Sequence, residues 1–456
     1  MSRGLQSGPS AHRCALLAFA LAALFTGCTF IPRGTAALRR EAVRAGRPFL
    51  EPPPQRHLPP LSAVPTAREL VHRALLDSPD AEAAYWQWRA AIEAVPRRGT
   101  QATVPMFGGT GSLKNGAASA GGAMLELANM SSAPIEWPGK PRAEARAALQ
   151  RAYAAGWKFR RAQFAVRRRT LDAWHALVAD SEMLALLRRD AALLGELDAF
   201  ARARIETGAA SPTTALAIEN ELTRVRAEIA ATSAKLPADR AAVNRVLGRP
   251  VRRPLGVPRE LPRQGFTLDS MTRMLTLAVR RNPDLAALRR DIRAGRIDIE
   301  RARMNYIPDF TLSAASSLDG ITQNLGGALM LPFVRYRAIN AAIRQSRDRL
   351  RETEARLRSR RLGITARLLT DLVMIQGDTR QIDLYEADFL PRLARMAAFA
   401  RTDVEQSQAA IDEPIRIERT RVRVREAMLE LRLDESDRLA DMEDLAAVRL
   451  AGAAKG

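Results

Sequence analysis

Residues 181–212 read SEMLALLRRDAALLGELDAFARARIETGAASP, and this stretch decides the fold. Leu184, Leu187, Ala191 and Leu194 step by three and four, the spacing of a coiled-coil seam rather than of a stripe on a thick core. No proline interrupts the chain from Arg142 to Pro212. A helix of about 65 residues at ~1.5 Å each is a rod near 100 Å long, more than a globular domain needs. Thr207-Gly208-Ala209-Ala210-Ser211-Pro212 then gathers turn residues, and the helical pattern resumes from Thr213 to Leu247, with a kink expected at Pro237. Two long helices joined by so short a turn run antiparallel.

Working outward, Thr66 to about Val95 is helical, with Leu70, Ala74, Ala81, Ala84 and Trp88 on one side. Pro96 to Pro141 has no helical period and is rich in glycine; its residues 100–136 read as a poor pair of strands, short of aromatics. Gly248 to Pro262 is a linker of Pro, Gly and Arg. The plan then repeats. Ser78-Pro79-Asp80 is echoed by Asn282-Pro283-Asp284, and a helix runs on to about Tyr306. Phe310, Leu312 and Ala314 alternate with Thr311, Ser313 and Ala315 as in a strand, Asp319-Gly320 suits a hairpin turn, and Leu325 to Phe333 alternates again. A helix from Tyr336 to Leu390 carries Leu350, Leu357 and Ile364, then Leu368, Leu372 and Ile375. A break at Ser407 to Pro414 and a last helix to about Leu450 complete the copy, with Ile415-Arg416-Ile417-Glu418 standing where Leu216-Ala217-Ile218-Glu219 stood. Such duplication implies two copies of one structural unit. A lone hairpin buries too little to be stable, and its natural completion is a closed barrel built from several chains.

The amino terminus has basic Arg3, His12 and Arg13, an apolar run from Cys14 to Phe25, then Thr26-Gly27-Cys28. This is a secretory signal, too short to span a bilayer. The cysteine after two small residues indicates a bacterial lipoprotein cut before Cys28 and acylated on it; the alternative is an ordinary signal with an incidental cysteine. Phe25 stands where Leu is usual. Thr29 in place of Asp gives no retention at the inner membrane, so an outer-membrane location is expected. Residues 29–65, with Pro52, Pro53, Pro54, Pro59, Pro60 and Pro65, are expected to run extended. Cys14 leaves with the signal, so no intrachain disulfide can form.

A formal charge of +21 invites a nucleic-acid reading. Arginine supplies nearly all of it and is interspersed with Glu and Asp at helical spacing, which reads as a solvated helical face, with lipid headgroups as a second partner. The export signal and the absence of a single basic patch exclude a nucleic-acid binder. Catalysis and cofactors are not expected. His57, His72 and His175 form no ligand spacing, Met124, Met130, Met330 and Met396 are scattered, and Gly139-Lys140-Pro141 is no nucleotide loop.

Four stretches together resemble the TolC-like outer membrane efflux proteins. Asn282-Pro283-Asp284-Leu285 leading through Ala302-Arg303 and Tyr306-Ile307-Pro308-Asp309 is similar to the family's helix-to-barrel transition. Trp137-Pro138-Gly139-Lys140 resembles its strand-to-helix junction. Arg204, Gly208, Ser211 and Leu216 fit its periplasmic turn, and Asn244 to Pro250 resembles the exit from the first hairpin. Ser407 and Thr214 depart from the pattern, where glycine and an acidic residue are usual.

The resemblance implies a fold mainly α with a small β part. Elongated antiparallel coiled-coil hairpins would form an α-barrel, and two β-hairpins per chain would join a trimeric outer-membrane β-barrel. It also implies a homotrimer working with a periplasmic membrane-fusion adaptor and an inner-membrane pump, with Arg204, Gly208, Ser211 and Leu216 as the adaptor-docking tip. The expected layout is a signal over 1–27, a lipid-anchored lead over 28–65, repeats over 66–250 and 269–450 about a 251–268 linker, and a 451–456 tail. Asp403, Glu405, Asp412 and Glu413 lie near the second turn, where threefold symmetry would make an acidic ring at the entrance; ordinary solvated acids are the alternative. A non-conducting envelope coiled-coil scaffold is the competing function. Cys28→Ala is expected to abolish labelling by radioactive palmitate and to slow membrane sorting, and unchanged incorporation would refute the acylation site.

Overall fold

The structure is a computed structural model and describes residues 29–100, 103–114, 117–129, 136–208, 211–261, 270–316, 323–405 and 412–447. Cys28, the signal and the Asp319-Gly320 turn lie outside them. The helices are α1 (Thr35–Ala45), α2 (Ala67–Asp77), α3 (Pro79–Gly99), α4 (Gly139–Glu206), α5 (Pro212–Val246), α6 (Ser270–Arg281), α7 (Pro283–Arg303), α8 (Tyr336–Leu384), α9 (Leu390–Glu405) and α10 (Asp412–Ala446). The strands are β1 (Thr103–Lys114), β2 (Ala117–Asn129), β3 (Asp309–Ser316) and β4 (Gln323–Met330). Both halves therefore list two helices, a hairpin, a long helix and a second long helix.

Several expectations are corrected. The lead is not extended throughout: α1 forms because its prolines are confined to Pro32 and to 48 onward, leaving TAALRREAVRA free to wind. The helix from Thr66 is two helices. Thr66 opens α2 with a reciprocal capping box to Glu69, but Pro79 forces Ser78 to an extended ψ of 126°, and α3 starts afresh with Pro79 in its first turn. The first hairpin, expected to be a poor pair of strands, has strands of 12 and 13 residues, longer than the 8 residues of β3 and of β4. The last strand stops at Met330, because Pro332 starts a 3₁₀ turn over Pro332–Arg335. The helix from Tyr336 does not stop at Leu390. It widens into a π-turn at Tyr385–Phe389 and continues as α9, the wider turn accommodating the ring of Pro391.

The chain divides into two compact units. The first comprises residues 29–45, 87–156 and 287–357 among those described, and holds the sheet. Its strands pair antiparallel in the order β1-β2-β3-β4, so the hairpins of the two halves join through β2 and β3, with Leu127 opposite Leu312. Small residues set the helix packing there. Ala143 and Ala147 meet Ile297, Ala302 meets Ile339 and Ile343, and Gly156 lies under the Trp88 indole, where a Cβ would come within 2.9 Å of the ring.

The second unit comprises residues 46–86, 157–261, 270–286, 358–405 and 412–447. Its expected seam is present: Leu187 and Leu194 of α4 pack on Leu222 and Val225 of α5. A matching cluster joins Ile382, Leu393, Ala397 and Ala400 to Ile417, Val424 and Met428 of α10. α5 passes Pro237 as one helix and is closed by Gly248 at φ +67°, while buried Asn244 gives its amide to the carbonyls of Val251 and Arg253, turning the chain into the linker. Asn282 works similarly. Its side-chain oxygen caps α7 through the amides of Asp284 and Leu285, and its nitrogen donates to Leu445 O at 2.9 Å.

Arg56 fastens α2 and α3 to the lead. Only 2% of its side chain is exposed, and it reaches Asp77 at 3.2 Å, Glu82 at 2.8 Å and the Glu51 carbonyl at 3.0 Å, with its guanidinium over the Phe49 ring. Burial raises the pKa of Asp77 and Arg56 opposes the rise. Removing one partner of such a network strands the other charges. Arg56→Met is expected to destabilise the protein by about 3 kcal/mol in denaturant unfolding; an unchanged midpoint would show that the network contributes nothing.

Candidate functional site

Arg204 lies in the last turn of α4, Gly208 in the turn that follows, Ser211 at the cap of α5 and Leu216 within its first turns. Gly208 adopts φ +72°, and a Cβ added there would meet nothing within 4 Å. Its backbone conformation, not crowding, selects glycine. Its amide donates to Ile205 O at 2.9 Å, and the Thr207 hydroxyl donates to Arg204 O at 3.0 Å, answering carbonyls at the end of α4. Ser211 caps α5, its Oγ accepting from the Thr213 amide at 3.3 Å. Behind the turn Arg202 bridges Asp198 and Glu219, clamping the two helices. Leu216 is 57% exposed, an apolar side chain at the surface of the first turns of α5.

At the second turn Asp403 and Glu405 fall in the last residues of α9, and Asp412 and Glu413 open α10. Of the four, Glu413 has a described side chain, and it holds Arg416 in a two-pronged contact at 2.6 and 2.7 Å. Its charge is answered within its own helix.

Sequence reading missed how the sheet is mounted. Lys140, almost fully buried, reaches Asp309 Oδ1 at 2.7 Å and Ile307 O at 3.3 Å, and the same Asp309 oxygen accepts from the Trp137 amide at 3.0 Å. Arg301 binds Glu144 at 2.8 Å and Glu136 at 3.5 Å. The stretches Trp137–Lys140 and Tyr306–Asp309, quoted above as separate motifs, are thus the two halves of one joint. The signal was available: each is a proline-interrupted junction with one charge of opposite sign.

A second miss is a polar seam in the helical unit. Asp437, Asp441 and Asp444 follow one stripe of α10. Asp441 sits between Arg168 of α4, at 2.6 Å, and Arg367 of α8; Asp444 pairs with Arg161 and Glu443 with Arg167. Buried His175 shares a hydrogen bond of 3.0 Å with Asp437 through Nδ1. These arginines were read as a solvated face, but they neutralise buried carboxylates. Asp371 of α8 faces the same seam. Burial and the neighbouring Asp441 push its pKa up to about 6, against the pull of Arg367. Asp172 is likewise pushed up to about 6 by burial, with Arg168 opposing. Among the described residues no group of three or more His, Cys, Asp or Glu is placed to hold a metal ion.

Residues 274–448 match the family model described as outer membrane efflux protein. Over those residues the chain is similar to the outer membrane efflux proteins. The match spans nearly all of α6 through α10, with β3, β4 and the second turn. No curated protein matches the sequence. Among solved structures, the outer membrane protein VceC of Vibrio cholerae is similar over 84% of this chain and 96% of its own, with a TM-score of 0.71 and 15% identity. The CmeC outer membrane channel of Campylobacter jejuni is similar over 83% and 85%, at 0.67 and 15%. The open state of the MtrE outer membrane channel of Neisseria gonorrhoeae is similar over 86% and 93%, at 0.67 and 16%. The likeness extends well beyond the efflux-protein match and fixes the fold as that of the TolC-like α-barrel channels, mainly α with long helical hairpins and a small β part.

The polar seam makes stability depend on pH in a stated direction. A carboxyl whose folded pKa is raised to about 6 binds more protons in the native than in the unfolded chain between its ordinary value near 4 and about pH 6, so stability falls as pH rises through that window. The thermal midpoint is therefore expected to rise on acidification from pH 7.5 to about 5.5. Asp371→Asn is expected to flatten that rise and to raise the midpoint at pH 7.5, as followed by circular dichroism. An equally steep profile in the variant would remove Asp371 from the account.

Proposed function

We propose that this protein is the outer-membrane channel subunit of a tripartite efflux system. It passively conducts substrate delivered by an inner-membrane pump and a periplasmic adaptor to the cell exterior. One observation carries the reading: two hairpins far apart in sequence pair as one four-stranded antiparallel sheet, with β1 and β4 left as its edges. Open edges in lipid are untenable, and closure against sister chains satisfies them. Three copies would give a 12-stranded barrel. Strands of 12 and 13 residues in the first hairpin exceed the ~9–11 needed to cross a bilayer when tilted.

Further support for a homotrimer comes from the second unit. Leu362, Leu369, Val373, Leu384 and Phe399 are all more than half exposed along α8 and α9, an apolar stripe suited to helices of a neighbouring copy. Acylated Cys28 would tether each subunit to outer membrane lipid, with 28–65 as the lead and 66–250 and 269–450 as the repeats. Arg204, Gly208, Ser211 and Leu216 form the adaptor-docking tip; exposed Leu216 and the unobstructed surface over Gly208 suit contact with another helical tip. Asp403, Glu405 and Asp412 would add negative charge at the entrance. The role needs neither catalysis nor a cofactor. The scaffold alternative, a chain without a working barrel, draws its best support from a weak first hairpin, and the pairing of β1 with β2 weighs against it.

Purified in detergent, the full chain is expected to run as a trimer and to give stepwise single-channel conductance in planar bilayers. A monomer or dimer without conductance would favour the scaffold.

A further inference from the structure

The antiparallel register places all four strand–helix junctions at one end of the sheet: Thr103 pairs with Asn129, Leu127 with Leu312 and Asp309 with Met330. Residues 97–98, 136–144, 301–309 and 331–337, which form or adjoin those junctions, contain eight basic and three acidic side chains. The acids are engaged locally, Asp309 by Lys140 and Glu136 and Glu144 by Arg301, with Arg98 at 3.8 Å from Glu144. Arg97, Arg98, Arg142, Arg303, Arg335 and Arg337 are exposed. Between them stand exposed apolar and aromatic side chains: Trp137 at 47%, Tyr306 at 45%, Tyr336 at 49% and Val334 at 79%. Tyr306 donates to Asn340 and Tyr336 accepts from Arg337, so both rings carry their polar ends in hydrogen bonds.

A second, independent feature points to lipid. The chain just after Cys28 is pinned to this same end. The Phe30 amide donates to Gly99 O at 3.0 Å, Thr100 donates to the Thr29 hydroxyl at 3.2 Å, and the Arg142 guanidinium lies over the Phe30 ring. The fit requires Gly99, since a Cβ there would strike Phe30 O at 2.1 Å. The acyl chain proposed for Cys28 would start one residue before this contact, next to the belt of arginines and aromatics.

We infer that this belt is a binding surface for the phosphates of anionic phospholipids in the inner leaflet of the outer membrane. Aromatic rings settle at the headgroup level, and arginines lay their stems along apolar surface while their guanidinium groups reach phosphate oxygens in paired contacts. A uniformly basic rim with its own acids already neutralised suits an anionic headgroup better than a zwitterionic one. The inference rests on the proposed channel role, which puts the sheet in the membrane.

The test uses the full acylated chain reconstituted into phosphatidylcholine liposomes with and without phosphatidylglycerol, then extracted for native mass spectrometry. The wild type is expected to retain phosphatidylglycerol over phosphatidylcholine by about tenfold or more. Changing Arg97, Arg98, Arg335 and Arg337 together to Gln is expected to abolish that preference, and changing the same four to Lys to restore most of it. Assembly state and helicity should be unaltered in both. Equal retention of the two lipids by the wild type, or an undiminished preference in the Gln variant, would overturn the belt. A protein that inserts and conducts but shows no preference loses only this inference; one that enters neither liposome loses the channel role as well.

Discussion

A strand's amides and carbonyls demand partners, and an isolated hairpin leaves the outer row of each strand open. The pairing of β2 with β3 is where this chain begins to meet that demand. It couples segments that are remote in sequence, and it obliges the helices entering and leaving each hairpin to stand side by side. The joint made by Lys140, Asp309 and the Trp137 amide follows from that pairing and keeps the helical and strand geometries in step. With four strands paired in one direction only, the sheet is still incomplete at β1 and β4, and the proposed assembly is the remainder of the same constraint.

The long helices were legible because what makes them is local. An uninterrupted run without proline, a three-four spacing of leucine and a glycine-proline turn all act within a few residues. The sheet was most legible in its second half, where Phe310, Leu312 and Ala314 alternate plainly. The first hairpin was legible only as a poor pair of strands because alanine and glycine carry little strand preference; β1 pairs with β2, and β2 gains a second partner in β3, a tertiary effect that propensity does not contain. The same reason hid the break at Ser78, since a stripe through Leu70, Ala74 and Ala81 continues across a proline that the backbone cannot ignore. The turn at Gly208 was legible from its own residues, while the joint at Lys140 was not, because its partners are separated by 169 positions.

Arginine has two uses in this chain, and composition alone cannot separate them. Arg161, Arg167, Arg168 and Arg367 lie between helices, where they offset buried aspartates and glutamates of α10. Such pairs contribute little net stability but penalise any register that parts them. A seam fixed by charge in one stretch and by leucine in another gives the helical unit two kinds of cohesion, one sensitive to protons and one not.

The π-turn at Tyr385–Phe389 has a geometric consequence. Before it, inward-facing positions follow two tracks with a step of seven, buried Ile364-Asp371-Asp378 leading to half-buried Tyr385, and buried Leu368-Ile375-Ile382. After it the tracks resume as Leu393-Ala400 and Leu390-Ala397, each having taken one step of eight. The loop of backbone absorbs that extra residue without breaking the helix. The packing face is therefore kept in line across the insertion: without the wider turn the extra residue would rotate the segment after it by about 100°, and Leu393, Ala397 and Ala400 would leave the cluster that Ile382 begins.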